Sequence, residues 1–194
     1  MRHNLSEITT IIRDRRTIYP EFFSERKVHT EQIELLLNNA IWAPTHGMTQ
    51  PWRFTVMREK GLESLSAYLT EAYTKASGES FNEMKFERLK QRPFKASAVI
   101  AVAMSPDPKG KIMELEEIEA VACAVQNMHL TATAQGLAFF WSTPKFLYSA
   151  VHNTFFSLGE GDKILGLIYL GYPKGDWPKG QRKPIEYCTT WKVD

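Results

Sequence analysis

Hydrophobic residues recur along this chain with two different periods, which predict helices and strands in alternation. Apolar residues spaced three or four positions apart indicate amphipathic helices. Such spacing predicts helices that begin near Ser6, near Thr30 and near Leu62, a charged helix from about Phe81 to Gln91 that Pro93 closes, and a long helix from Met113 to Gln135. We expect Ser6 and Thr30 to be N-cap residues, because a side-chain oxygen there can accept a hydrogen bond from a free backbone N–H.

Shorter apolar runs predict three or four strands. They comprise the alternating segment Trp52 to Val56, the continuous run Ser97 to Met104, the aromatic run Leu137 to Trp141 and the final run Ile164 to Leu170. Thr143 and Pro144 then resemble the start of another helix, with proline at its first position. Helices mixed with so few strands predict a layered α+β or α/β sandwich.

Length and composition place this pattern in a single globular domain covering residues 1–194. The chain has 194 residues, of which 43% are hydrophobic and 24% are charged, close to ordinary globular usage. Its two cysteines, Cys123 and Cys188, match no metal or redox spacing, so we expect a reducing, cytoplasmic location and no disulfide. The apolar run Ala98 to Met104 is far shorter than the ~20 residues that span a bilayer, so no membrane contact is predicted.

Charge and motif content disfavour several other classes of protein. Lysine and arginine total 24 against 22 acidic residues, and the acidic stretch Glu114 to Glu119 also argues against a nucleic-acid-binding module. The five histidines never pair at metal-ligand spacing, so no metal is predicted. Gly159-Glu160-Gly161 precedes a strand, which is the wrong context for a dinucleotide loop, and no G-x-S-x-G elbow occurs.

Four polar segments remain as candidate functional sites. They are Arg13 to Thr17, the loop Pro44 to Phe54, the aromatic segment Ala134 to Thr143, and the tail from Gly171 to Lys183. Guanidiniums beside a hydroxyl are the donors that a phosphate or the edge of a planar imide-like ring requires. Each segment, taken alone, also suits a structural role as a solvated helix end, a rigid turn, core packing or a solvated basic tail.

Together, these segments resemble the FMN-dependent nitroreductase family. The resemblance rests on Arg-Arg-Thr after the first helix, Ala-Pro-Thr-His-x-x-x-Gln-Pro-Trp-Arg-Phe after the second, Ala-Gln-Gly-Leu ending the long helix, and Leu-Gly-Tyr-Pro followed by Arg-Lys-Pro. These motifs occur in the family's order and approximate spacing from about Ile8 to Trp191, and small bacterial members are the most similar. The segment from Pro44 to Trp52 is the most specific.

The resemblance implies an architecture and a cofactor. The expected fold is a three-layer α/β/α sandwich with a mostly antiparallel sheet and a C-terminal extension that reaches a partner subunit. Family members bind FMN at a homodimer interface. By analogy, Arg15, Arg16 and Thr17 would contact the ribityl phosphate and the pyrimidine side of the flavin.

The same resemblance assigns the remaining cofactor contacts. Pro44, Thr45 and His46 would reach the flavin from the other subunit. The segment after the long helix would lie along the flavin through Leu137, Trp141, Ser142 and Thr143, and Arg182, or Lys183 in its place, would hold the phosphate.

The resemblance also implies an activity. NAD(P)H would deliver hydride to the flavin, and a nitroaromatic, a quinone or a similar electron-poor molecule would then take the electrons in a ping-pong cycle. Because the cofactor carries such a reaction, no protein group is assigned as catalyst. A noncatalytic flavin-binding or flavin-processing protein on the same scaffold remains the alternative.

Overall fold

The computed structural model describes residues 3–193. Five α-helices lie in this part of the chain: α1 (Leu5–Asp14), α2 (Thr30–Ala40), α3 (Lys60–Ser77), α4 (Glu83–Lys95) and α5 (Glu114–Ala134). Four strands accompany them: β1 (Trp52–Met57), β2 (Ala98–Met104), β3 (Ala138–Ser142) and β4 (Lys163–Gly171). The helices and strands follow the hydrophobic periods closely.

The four strands form one sheet in the order β1-β2-β4-β3, with every pair antiparallel. Trp52 lies opposite Met104, and Ala98 lies opposite Leu170. All seven residues of β2 are buried, which explains why that strand is a continuous apolar run rather than an alternating one.

Alternate residues of the central strands pack into two separate cores. Ile100 and Ile168 face α2 and α5 on one side of the sheet, where Leu36 and Met128 are fully buried. Val99 and Leu167 face the other side, toward Leu65 and Leu69 of α3. Each fully buried side chain of this size contributes roughly 1.5–3 kcal/mol. The result is the predicted three-layer α+β sandwich.

Several local predictions were wrong in detail. Asn4, not Ser6, caps α1, because the Asn4 side chain accepts hydrogen bonds from the backbone N–H groups of Ser6 and Glu7 at 3.0 and 3.3 Å. His29 rather than Thr30 occupies the N-cap position of α2. Helix α4 continues through Pro93 to Lys95, since a proline in the last turn interrupts few helical hydrogen bonds.

The helix predicted after Thr143 is also absent as an α-helix. Two 3₁₀ turns, Lys145–Tyr148 and Ala150–His152, occupy that stretch, with Ser149 in an extended conformation between them. The buried His152 ring bonds the Phe146 carbonyl oxygen at 2.7 Å and the Tyr68 hydroxyl at 2.6 Å. These contacts fold the segment back on itself and prevent a continuous helix.

Candidate functional site

Three guanidiniums from the two ends of the chain gather at the C-terminal end of α1. This arginine cluster consists of Arg15, Arg16 and Arg182. Burial lowers the pKa of the Arg15 guanidinium from its usual value, and the neighbouring positive charges of Arg182 and Arg16 lower it further. A single chain therefore brings the tail arginine close to the two first-helix arginines with which it was predicted to act.

No carboxylate among residues 3–193 neutralises the positive charge of this cluster. Within residues 3–193, the ion pairs involve other side chains, and no carboxylate pairs with any of the three arginines. Like charges held close together are unfavourable unless an anion lies between them. The cluster therefore has the charge and the donor chemistry of a phosphate site.

The tail is fastened to the end of α1 by two contacts. The Trp177 indole N–H donates to the Asp14 carbonyl oxygen at 2.7 Å. Gly180 lies so close to the flat face of Arg16 that a Cβ atom there would overlap the guanidinium. These contacts explain how a segment with little regular structure holds Arg182 beside Arg15.

Arg16 has a different role from its two neighbours. Its guanidinium donates to the carbonyl oxygens of Arg13 and Arg15 at 2.5 and 2.7 Å, which otherwise lack partners at a helix end. Its Nε atom is buried and has no hydrogen-bond partner in the described part of the chain. Arg16 therefore supports the helix end and the tail, whereas Arg15 and Arg182 are better placed to meet an anion.

His129 on α5 fixes both first-helix arginines, and sequence reasoning missed it. Its Nε2 lies 2.8 Å from the Arg16 carbonyl oxygen and its Nδ1 lies 3.4 Å from an Arg15 guanidinium nitrogen. Its ring stacks on Phe139 with centroids 4.1 Å apart. The available signal was a histidine on the apolar face of α5, one position after Met128.

The protonation state of His129 follows from this environment. Burial lowers its pKa to about 4, the hydrogen bond to the Arg16 carbonyl opposes this shift, and the positive charge of Arg15 adds to it. At neutral pH the ring is uncharged, so Nε2 donates to the carbonyl and the Nδ1 lone pair accepts from Arg15. His129 thereby orients the Arg15 side chain.

Thr17 is exposed directly beside the cluster. The next residue, Ile18, donates its backbone N–H to the Phe139 carbonyl oxygen at 3.1 Å, so the chain leaving α1 lies against β3. Thr17 also borders a cavity of about 310 Å³ with Pro173 and Asp176. Because Thr17 directly follows Arg16 in the chain, its contact with the cofactor stays a prediction.

The loop containing Pro44, Thr45 and His46 lies elsewhere, at the N-terminal end of α5. His46 Nδ1 is 3.1 Å from a Glu116 carboxylate oxygen, and Thr49 donates to the buried Glu117 carboxylate at 2.7 Å. Glu116 and His129 are thirteen positions apart on α5, which corresponds to about 20 Å along the axis. One chain alone therefore does not bring this loop to the arginine cluster.

The third predicted group, Trp141 to Thr143, lies at the far end of β3. Trp141 is half-buried, and its indole nitrogen is buried without a hydrogen-bond partner among the described residues. A Cβ atom at neighbouring Gly166 would come within 2.5 Å of that nitrogen. Thr143 is exposed and borders a larger cavity beside α3 and α4.

Residues 3–193 lack the features of two other kinds of site. No helix in that range is long and apolar enough to cross a membrane. No group of three or more His, Cys, Asp and Glu side chains in it is arranged to hold a metal ion.

Comparisons with known proteins identify the fold and the family. Residues 12–172 match the sequence profile of the nitroreductase family. The chain is 31% identical over 144 residues to the provisionally named NAD(P)H nitroreductase YdjA of Escherichia coli strain K12, covering 74% of this chain and 77% of that protein.

Two solved structures have the same fold. One is a nitroreductase-like protein from Bacillus cereus, with a TM-score of 0.80, 26% identity and full coverage of both chains. The other is a provisionally identified nitroreductase from Desulfovibrio desulfuricans in complex with FMN, with a TM-score of 0.72, 24% identity and full coverage of both chains. With its motifs, its sheet and its matched residues in agreement, the chain belongs to the nitroreductase family.

Proposed function

We propose that this protein is a homodimeric, FMN-dependent oxidoreductase that takes hydride from NAD(P)H and reduces nitroaromatics, quinones or related electron-poor small molecules. The main support is the arginine cluster, which is positively charged, partly buried and not paired with any carboxylate among residues 3–193. The names of the E. coli relative and of the FMN-bound D. desulfuricans structure support the same reaction class and cofactor. A cytoplasmic location is part of the proposal.

The residues of the cluster fit the phosphate of FMN. Arg15 and Arg182 would hold the phosphate or the polar edge of the ring system, while Arg16 and His129 keep Arg15 in place. The buried, unpartnered indole N–H of Trp141 is a second donor on the predicted flavin segment. Bound FMN supplies a redox centre that a nicotinamide reduces and an electron-poor acceptor reoxidises in alternation.

The separation of the two halves of the site supports a homodimer. The His46 loop and the arginine cluster lie at opposite ends of α5. If two copies packed their α5 helices antiparallel about a two-fold axis, the partner's His46 would come to the arginine cluster, and the arrangement would occur twice. A second copy is the simplest way to complete the site.

The surface of the chain supports this packing. Exposed residues with helical spacing form a stripe along α5: Leu115, Glu119, Ala122, Cys123 and Gln126. The small side chains in its centre allow another helix to approach closely. Large apolar side chains are also exposed on segments that contact α5, namely Leu5 and Ile12 of α1 and Met48 of the loop after α2. Trp42, Tyr187 and Trp191 are exposed as well. Such apolar exposure is typical of a surface that is covered in an assembly.

The first test examines cofactor and activity together. The purified protein, with FMN added, should bind one FMN per chain and bleach near ~450 nm when NAD(P)H is added without oxygen. It should then oxidise NAD(P)H in steady state with a quinone or a nitroaromatic as the electron acceptor. Double-reciprocal plots of rate against NAD(P)H concentration, taken at several acceptor concentrations, should be parallel, as a ping-pong cycle requires. Failure to bind FMN contradicts the proposal, whereas FMN binding without turnover indicates a noncatalytic flavin-binding protein.

The second test examines the shared site. An R15A/R182A chain and a chain in which residues 44–46 are replaced by glycine should each bind FMN poorly. Mixed dimers of the two should regain one intact site, because one interface then combines an unaltered cluster with an unaltered loop. No recovery in a verified mixed dimer contradicts a composite site.

A further inference from the structure

A second cavity, separate from the arginine cluster, lies between α3, α4 and the segment after β3. Its volume is about 980 Å³, which is within the usual range for small-molecule sites. Thr143 borders it, so the cavity adjoins the segment that we expect to lie along the flavin. Its lining includes Tyr73, Met84, Lys85, Arg88, Lys145 and Phe146.

The lining is strongly cationic. Lys85, Arg88 and Lys145 all border the cavity, and the described lining contains no carboxylate. None of the three takes part in an ion pair within residues 3–193. Lys85 and Arg88 are three positions apart on α4, so their side chains lie on the same face of that helix.

Aromatic faces lie beside these charges. The Lys85 ammonium group is 4.7 Å from the centroid of the Tyr73 ring and 6.0 Å from that of Phe146. The N-terminal end of α4 also opens here, where the Asn82 side chain caps the helix by accepting from the Lys85 N–H at 3.0 Å. The positive end of this 13-residue helix adds to the side-chain charges.

We propose that this cavity binds the 2′-phosphate and the adenine end of NADPH, so that the protein prefers NADPH to NADH. This inference rests on the proposed function. A phosphomonoester carries about −1.5 to −2 charges at pH 7 and three acceptor oxygens, which suits a cavity lined by three cations. Phe146, which is partly exposed, supplies a flat surface for adenine. NADH lacks that phosphate and leaves the same cations without a partner.

Nucleotide binding tests the cavity without relying on turnover. The purified protein, with FMN added, is titrated calorimetrically with adenosine 2′,5′-bisphosphate and with 5′-AMP, which lacks the 2′-phosphate. We expect the bisphosphate to bind about 10- to 100-fold more tightly, and the double variant K85M/R88M to lose that difference. Equal affinities, or a double variant that keeps the difference, would overturn the assignment.

The matched control is K90M. Lys90 lies on the same helix but outside the cavity, and it pairs with Glu87 at 3.7 Å on an exposed surface. This variant should keep the preference for the bisphosphate. If K90M abolishes the preference as well, the effect comes from the overall charge of α4, and the cavity assignment is wrong.

Kinetics then separate this inference from the proposed function. In K85M/R88M the ratio of kcat/KM for NADPH to that for NADH should fall at least about tenfold, with FMN still bound. An unchanged ratio, loss of FMN, or a raised KM only for an anionic electron acceptor would each overturn the NADPH assignment. A wild-type protein that binds no FMN contradicts the proposed function, while the nucleotide titration still tests the cavity.

Discussion

The two ends of α5 hold polar groups in opposite ways. At the C-terminal end, His129 is buried, stacked on Phe139 and bonded to the first-helix arginines. At the N-terminal end, His46 is exposed and pairs with Glu116 at the surface. His129 is therefore held in place inside a charged cluster, whereas His46 lies on a loop and is exposed to solvent.

This difference is what we expect if one helix serves two parts of the composite site that we propose. The C-terminal end of α5 is buried and must be preorganised, because guanidiniums that repel each other have to be held close together before an anion binds. The exposed end needs an accessible surface, because we propose that it acts on a partner subunit. Four changes test this contrast, in order of decreasing expected effect.

The largest effect should come from the cluster itself. The double variant R15A/R182A removes two charge-assisted contacts and should weaken FMN binding by at least about 100-fold, as measured by flavin fluorescence titration. R13A is the matched control, because only the backbone carbonyl of Arg13 contacts the cluster. Wild-type FMN affinity in the double variant would contradict the assignment of the phosphate site.

Acid should lower the free energy of unfolding through His129 at the buried end of α5. The pKa of His129 is about 4 in the folded protein and about 6.5 when unfolded, so the unfolded state binds more protons between these values. The stability from the uncharged ring is complete above pH 6.5 and is lost as pH falls toward 4. Between pH 7 and 5 this loss is about 2 kcal/mol, measurable by urea unfolding.

The control for this effect is H129Q, which keeps an N–H donor but does not titrate. It should lose less stability than the wild type over the same pH interval. An equal loss in both proteins would place the pH dependence on other groups.

A single methyl group should disturb the tail. G180A places a Cβ where the Arg16 guanidinium lies, so either the tail or Arg16 must move, and FMN affinity should fall about tenfold. The melting temperature should change little, because Gly180 is exposed. G61A is the control, since a Cβ there meets Met57 at an ordinary 3.4 Å. A G180A protein with unaltered FMN affinity would show that the close contact is dispensable.

The smallest effect should come from a change at His46, beside the exposed N-terminal end of α5. H46A removes a surface pair that contributes about 0–1 kcal/mol to stability, so urea unfolding should change little. Flavin affinity should still fall a few-fold, since we place the partner's His46 at the cofactor. E116Q breaks the same pair without removing the ring and separates the two effects. A large loss of stability in H46A would contradict the contrast between the two ends.

The sequence determined the secondary structure and the family. Hydrophobic periods located five helices and four strands, because burial of one helix face or of a whole central strand leaves a regular apolar pattern. Side-chain caps and the turns after Thr143 were predicted less well, because several polar residues near a helix end compete for the same backbone groups. The motifs around Arg15, Pro44 and Arg182 were sufficient to indicate the family.

The tertiary structure decided which of those motifs meet. Only the packed chain brings Arg182 to Arg15, gives Arg16 a supporting role and introduces His129 between them, because such contacts join positions far apart in sequence. The cationic cavity around Lys85, Arg88 and Lys145 likewise joins α4 to the segment after β3. Local periodicity carries no information about these pairings. They depend on how the sheet and the helices pack.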